Sequence, residues 1–214
     1  KDADRATLDK MIGDYIRANP EVVREALLSL AERETAELRE QAMVILKNDD
    51  GDPFFGNPEA SFVIYEFSDY NCGYCKRVFT TLQDLIAEDN DIKLVVKEFP
   101  ILSESSLLAA QAGIAAQAQG VFEEFHVAMM TARGGVSMDR MRTAAQSAGA
   151  DLDRTQADMG SPAVQAIMSR TGAAGQQLEI SGTRGLVIGR QIIPGAIDLG
   201  QMREIIAAER AADS

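Results

Sequence analysis

The chain has 214 residues, 46% of them hydrophobic and 25% charged, with 21 Lys and Arg against 33 Asp and Glu and a formal net charge of −12. That length holds one good-sized domain plus an appendage, not two full enzyme domains, and a polyanion repels nucleic acid and acidic lipid, so neither is expected as a partner. No apolar run approaches the roughly 18 residues of a membrane span, and no secretory signal is visible at Lys1-Asp2-Ala3-Asp4, so a cleaved signal would lie ahead of this numbering.

Residues 1–48 read as helical. Leu8, Met11, Ile12, Tyr15 and Ile16 follow the spacing of one helix face, and Asn19-Pro20-Glu21 reads as a fresh start, with Asn as N-cap and Pro at the first helical position. Val23, Leu27 and Leu30 continue the apolar stripe. So thin a stripe cannot form a core alone; it needs either the rest of the chain, as a helical lid, or another copy of itself. Asp49 to Pro58 breaks helix repeatedly and reads as a linker. Its acidic cluster lacks the alternating ligands and terminal Glu of a calcium loop.

Phe62-Val63-Ile64-Tyr65-Glu66-Phe67 is a predicted strand by its β-branched and aromatic content. Lys76 to Ala87 carries helical periodicity, and Ile92 to Phe99 is a second strand, which makes a βαβ unit with a parallel pair. From Leu102 to Leu178 the pattern is helical, with glycine breaks that suggest four or five helices. Leu186-Val187-Ile188 and Gln191-Ile192-Ile193 read as two short strands with a tight turn at Gly189-Arg190. Asp198 caps a last helix to about Ala211. The fold class is therefore α/β. The expected organisation is a helical segment over 1–48 and a domain over 49–214, whose helical insertion occupies 101–178 between parts at 57–100 and 179–214.

The only two cysteines, Cys72 and Cys75, close almost no loop, so their use is chemical, either redox or metal binding. Half a zinc site is disfavoured because the chain has no further cysteine and one histidine, His126, which reads as a packed or surface residue. Met129, Met130, Met138, Met141, Met159 and Met168 fall in helical stretches, where Met is ordinary core filler. A thiolate, not a thiol, attacks a disulfide, and at an ordinary pKa of about 8.5 only a few per cent is ionised at neutral pH. The motif sits after a strand and at a helix start, where free N–H groups and the helix dipole favour an anion. Cys72, at the tip, is expected to be a stabilised, solvent-accessible thiolate. Cys75, one turn in, is expected to be the more buried, resolving thiol. Glu66 is a carboxylate in an otherwise apolar strand, placed to accept the Cys75 proton as a general base, with Lys97 on the second strand as its counter-charge. The alternative is that both lie solvated at strand ends.

The segment Phe67-Ser68-Asp69-Tyr70-Asn71-Cys72-Gly73-Tyr74-Cys75-Lys76 resembles the active-site segment of DsbA-like periplasmic oxidoreductases. Lys97-Glu98-Phe99-Pro100-Ile101-Leu102 resembles their second strand and its exit. Ile180-Ser181-Gly182-Thr183 and Ile193-Pro194-Gly195-Ala196 resemble the segment facing the cysteines and the hairpin after it. The likeness covers about Asn57 to Ala208 and implies a thioredoxin fold with a helical insertion. With the N-terminal helices, the chain is most similar to the Com1 and ScsC (suppressor of copper sensitivity) branch, whose members assemble through such helices. The resemblance implies Cys72 as nucleophile, Cys75 as resolving cysteine, and Glu66 and Lys97 as the buried acid and the accompanying lysine. Gly73, Tyr74, Thr183 and Arg184 would then form the substrate-binding surface. The Gly-Tyr dipeptide occurs in disulfide isomerases and lacks the His of strongly oxidising relatives, so a less oxidising couple is expected. Arg184 departs from the family, which has a cis-proline there. A non-proline cis bond costs about 3 kcal/mol, which favours trans at Thr183–Arg184, reshapes the loop and brings a cation near Cys72.

The resemblance implies a periplasmic disulfide isomerase, a homo-oligomer with a trimer favoured. It needs no cofactor beyond its redox-active disulfide. Misfolded or disulfide-bonded proteins would be its substrates, and a membrane thiol reductase would keep it reduced. Two other readings stay open: a monomeric dithiol oxidase, and a copper-binding protein of copper tolerance whose reduced cysteines take Cu(I).

Overall fold

Helix breakers cut the chain into its elements. The computed structural model describes residues 2–183, 185–195 and 197–212, with residues 2 and 3 by backbone alone. Arg184 lies outside the described residues, and so does the Thr183–Arg184 bond. Helix α1 spans Asp2–Ala18 and α2 spans Pro20–Lys47. The break falls where Asn19-Pro20 predicts it, but the Asn19 amide donates to the Tyr15 carbonyl at 2.8 Å and so closes the end of α1 instead of opening α2.

Packing divides the chain into Lys1–Gln41 and Ala42–Ser214. In the first unit, Leu8, Met11, Ile12, Tyr15, Ile16, Val23, Leu27 and Leu30 are each 40 to 64% exposed. The apolar stripe is present and has no cover within the unit.

The second unit is built on a sheet of five strands among the described residues, ordered β1-β3-β2-β4-β5. Strand β1 is Phe54–Gly56, β2 Phe62–Ser68, β3 Ile92–Glu98, β4 Gly185–Ile188 and β5 Gln191–Pro194. The parallel β2/β3 pair runs in register from Phe62 against Ile92 to Ser68 against Glu98, with helix α3 (Gly73–Glu88) between the strands in sequence. The β4/β5 hairpin turns at Gly189, whose φ is +59° and where a Cβ would collide with the Glu209 carboxylate.

Strand β1 corrects the reading of 49–58 as linker. It pairs antiparallel with the edge of β3, and Phe55 enters the core against Phe79 and Phe122. The three residues Phe54–Gly56 carry no periodicity of their own; only the partner strand makes them a strand.

Between β3 and β4 the chain forms five helices: α4 (Glu104–Gln117), α5 (Phe122–Thr131), α6 (Met138–Ser147), α7 (Leu152–Met159) and α8 (Pro162–Gln177). Helix α9 (Leu199–Ala212) follows, its first turn capped reciprocally by Asp198 and Gln201. One face of the sheet (Ile64, Leu94, Val96, Leu186, Ile188) packs under α3, α9 and helices α4 to α7. The other face (Tyr65, Phe67, Val95, Val187) is covered by Ala174 and Leu178 of and after α8 and by Ala42 and Leu46 at the end of α2. Side chains alternate across a strand, so the even-numbered residues of β2 and β3 share the face beneath the cysteines.

Candidate active site

Cys72 is the N-cap of α3. Its sulfur accepts from the Cys75 N–H at 3.3 Å, the place a Ser or Asp hydroxyl or carboxylate fills in other helices. Cys72 is 8% exposed and Cys75 1%. The order is as expected, but Cys72 is buried rather than open, because the Thr183 segment lies over the pair. The Thr183 carbonyl accepts from the Cys75 thiol at 2.8 Å and stands 3.7 Å from the Cys72 sulfur. Burial by itself raises the Cys72 pKa. The side-chain hydrogen bonds with Thr183 and Cys75 and the backbone N–H groups of Cys75 and Tyr74 outweigh it, and the thiol lies below its ordinary value. Cys75 goes the other way: burial pushes it well up, and the charge of Glu66 adds to this. The two sulfurs are thus biased in opposite directions, Cys72 towards thiolate and Cys75 towards thiol.

Glu66 is 2% exposed, and neither of its carboxylate oxygens has a hydrogen-bond partner. Burial pushes its carboxyl up to about 8, offset in part by the nearby Ser68 hydroxyl. A buried acid that titrates near neutrality, close enough for its charge to act on Cys75, suits proton exchange with that thiol.

Lys97 stands elsewhere. It pairs in register with Phe67, whereas Glu66 pairs with Val96, so the two side chains leave opposite faces of the sheet. The Lys97 ammonium bonds Asp52 at 2.7 Å, Arg170 reaches the same carboxylate oxygen at 3.0 Å, and the Tyr65 ring lies 5.6 Å from the Lys97 nitrogen. As counter-charge to Glu66, Lys97 is therefore corrected: the register of the parallel pair, which fixes the parity between strands, puts the sheet between them.

Beside Glu66 stand Glu98 and Tyr70, two residues to which the sequence reading gave no role, and Tyr70 reaches His126, packed as expected. Glu98 shares the face of Glu66, and its Oε1 is 2.8 Å from the Tyr70 hydroxyl, which stands 2.9 Å from His126 Nδ1. All three are fully buried, the imidazole among Phe55, Phe79, Phe122 and Tyr70. Burial drives His126 down to about 3 and Glu98 well above its ordinary value. The Tyr70 hydroxyl donates to Glu98, so its oxygen is left to accept from His126 Nδ1–H. Strand alternation puts Glu98, the residue after Lys97, on the opposite face from the lysine; nothing local connects it to His126.

Asn71, directly before Cys72, ties the motif to the helical insertion. Its amide donates to the hydroxyls of Ser103, Ser105 and Ser106 at 2.9 to 3.1 Å, and its Oδ1 accepts from the Val136 N–H at 2.8 Å. Gly73 is exposed and Tyr74 half-buried, with the Arg77 guanidinium 5.8 Å from the Tyr74 ring centre.

The sequence profile of the DSBA-like thioredoxin domain matches residues 63–207. Among solved structures, a thioredoxin-like oxidoreductase from Silicibacter pomeroyi DSS-3 is 36% identical and superposes with a TM-score of 0.74 over 79% of this chain and 97% of its own. ScsC of Proteus mirabilis in a transitional conformation is 25% identical, with a TM-score of 0.75 over 99% of both chains. A curated relative, the Na(+)/H(+) antiporter NhaA of Herminiimonas arsenicoxydans, is 26% identical over 156 residues, 72% of this chain and 25% of that protein. The chain thus spans a quarter or less of the length of the curated relatives it matches. No helix among the described residues is long and apolar enough to cross a membrane.

Proposed function

The chain belongs to the DSBA-like thioredoxin domain family, and from that premise we propose that it is a protein thiol–disulfide oxidoreductase, specifically an oligomeric disulfide isomerase of the periplasm. The observation that carries the reading is the split between the two sulfurs: Cys72 lowered as N-cap of α3, Cys75 raised beside Glu66. The Cys72 thiolate attacks a substrate disulfide. That S–S bond breaks, one substrate sulfur leaves as thiolate, and the other stays bonded to Cys72. Cys75 gives its proton to the ionised Glu66 carboxylate and attacks the Cys72 sulfur, releasing the second substrate thiolate. The protein has then lost two electrons and the substrate has gained them. In isomerisation a thiolate of the substrate attacks the mixed disulfide first, Cys72 leaves as thiolate, and no net electrons move.

Residues 1–48 assemble the chain, a trimer being the favoured state. The exposed apolar stripe of α1 and α2 supports this, as does the superposition of Proteus mirabilis ScsC over 99% of the chain, helices included. Several Cys72 sites on one particle raise the effective concentration of thiolate at a misfolded substrate. Keeping Cys72 reduced requires a thiol reductase, expected in the membrane. Gly73, Tyr74 and Thr183 border the sulfurs and line the surface offered to substrate.

Reactivation of scrambled, fully oxidised ribonuclease by the reduced protein tests the reading. Recovery of ribonuclease activity is expected. Continued exchange with a small disulfide but no recovery would overturn the isomerase in favour of an oxidase or a copper carrier.

A further inference from the structure

In a chain of net charge −12, most cations of residues 42–212 are spoken for. Lys93 pairs with Asp49, Lys97 and Arg170 with Asp52, Arg203 with Glu88 and Arg210 with Asp89, all within 3.0 Å. Six are not spoken for: Lys47, Arg142 and the four that concern the site, Lys76, Arg77, Arg133 and Arg140. None has a carboxylate oxygen within 4.0 Å among the described residues.

These four cations gather around the cysteines. Lys76 and Arg77 follow Cys75 directly, and the Arg77 guanidinium sits over Tyr74, inside the motif. Arg133 belongs to the connection between α5 and α6, which is clamped to the motif on both sides, and Arg140 to the first turn of α6. Before the motif, Asn71 accepts from the Val136 N–H at 2.8 Å. After it, the Lys76 ammonium donates to the carbonyls of Ala132 at 2.9 Å and Gly134 at 3.3 Å. Arg140 holds the same turn from the far side, donating to the carbonyls of Gly135 and of Arg133.

Two cations thus converge on one short turn and neutralise nothing there. The Lys76 pKa is lowered, by burial first and then by the charge of Arg140, as their closeness requires. The acids nearby do not cancel the patch. Asp69 is buried, with its oxygens accepting from the N–H groups of Asn71 and Leu102. Asp139, on the first turn of α6, is exposed and forms no ion pair with Arg133 or Arg140 among the described residues.

We propose that this cationic lip is a substrate-selecting surface: it receives polypeptide segments in which the disulfide under attack is flanked by Asp or Glu. Arg77 and Arg133, both exposed, are its specificity-determining residues. The remainder of the acidic surface adds to the selection by repelling other approaches, so the field concentrates an acidic segment at Cys72. This rests on the oxidoreductase reading above and extends it to the class of substrate. The exchange is the one already balanced: the peptide disulfide takes two electrons and leaves as two thiols, and Cys72 and Cys75 become the disulfide.

The test compares two short disulfide-bonded peptides, identical except for Glu or Lys on either side of one cysteine, with the reduced full-length chain. Each second-order rate is divided by that for bis(2-hydroxyethyl) disulfide, which removes changes in the nucleophilicity of Cys72 itself. At low salt the acidic peptide is expected to react about tenfold faster, the ratio falling towards one in about 0.5 M salt. The double variant R77E/R133E is expected to reverse the preference. Equal rates for the two peptides at low salt, or an unchanged ratio in the double variant, overturn the inference and leave the oxidoreductase reading standing. Failure to exchange with any disulfide overturns both.

Discussion

Glu66 and Lys97 stand one register step apart on adjacent parallel strands and leave the sheet from opposite faces. Glu66 faces the cysteines without a hydrogen-bond partner; Lys97 belongs to a buried ion cluster with Asp52 and Arg170. The two therefore answer differently to substitution.

Lys97→Met leaves the Asp52 carboxylate buried with Arg170 as its remaining cation. The expected loss is about 3 kcal/mol of stability, read as a lower urea midpoint. The Cys72 titration, followed by thiolate absorbance, is expected to stay where it is, because the sheet lies between. A shifted Cys72 pKa with unchanged stability would return Lys97 to the site.

Glu66→Gln removes the base. Since the Glu66 carboxyl lies at about 8, release of product from the mixed disulfide is expected to accelerate with pH through about 8 in the native protein. The variant should lose that inflection and run about a hundredfold slower. The same pKa sets a stability profile. Between the ordinary value of 4.5 and about 8, the folded state keeps a proton that the unfolded chain gives up, so this group lowers stability as pH rises, fully so above about 8. His126 is common to both proteins and cancels, and the rise that the Glu66 charge adds at Glu98 and Cys75 is removed with it, in the same direction. Urea midpoints should therefore favour Glu66→Gln by a margin that grows from pH 5 to pH 9.

For the sulfurs, Cys75→Ser is expected to trap a stable mixed disulfide through Cys72, visible by mass spectrometry. Its remaining thiol should titrate below the ordinary thiol value. Cys72→Ser should leave a Cys75 thiol that alkylates only slowly at neutral pH, because burial and the Glu66 charge hold it protonated.

Tyr70→Phe deletes the hydroxyl that stands between Glu98 and His126. Two buried polar groups lose their partner, at about 1–3 kcal/mol each. The measurement is the thermal midpoint, with Phe125→Leu as a control for lost packing against the same ring. A midpoint as high as the native one would mean that the bridge contributes nothing.

Assembly is tested on the full chain. Sedimentation is expected to give three times the monomer mass. Replacing Leu8, Ile12 and Leu27 by Asp should return the monomer without changing exchange with a small disulfide. A native chain that sediments as a monomer would remove the assembly argument.

Much of this was legible in the sequence, wherever the signal was local. The helix restart at Asn19-Pro20, the βαβ unit around the cysteines, the helical block, the Gly189 turn and the Asp198 cap all follow from periodicity and turn chemistry within a few residues. The asymmetry of Cys72 and Cys75 follows too, because a helix start treats its first and fourth positions differently.

Tertiary structure decided whatever depends on which distant segment arrives, and in what register. Parity along one strand is readable, but parity between β2 and β3, separated by a helix, is set by their pairing; that is why Lys97 left the site and Glu98 entered it. Phe54–Gly56 became a strand only because β3 offered an edge. Cys72 was buried by Thr183, more than a hundred residues away, and His126 found Tyr70 across 56. Helix and turn signals act over a single turn of chain, whereas burial, partners and pKa arise from packing, which no local pattern encodes.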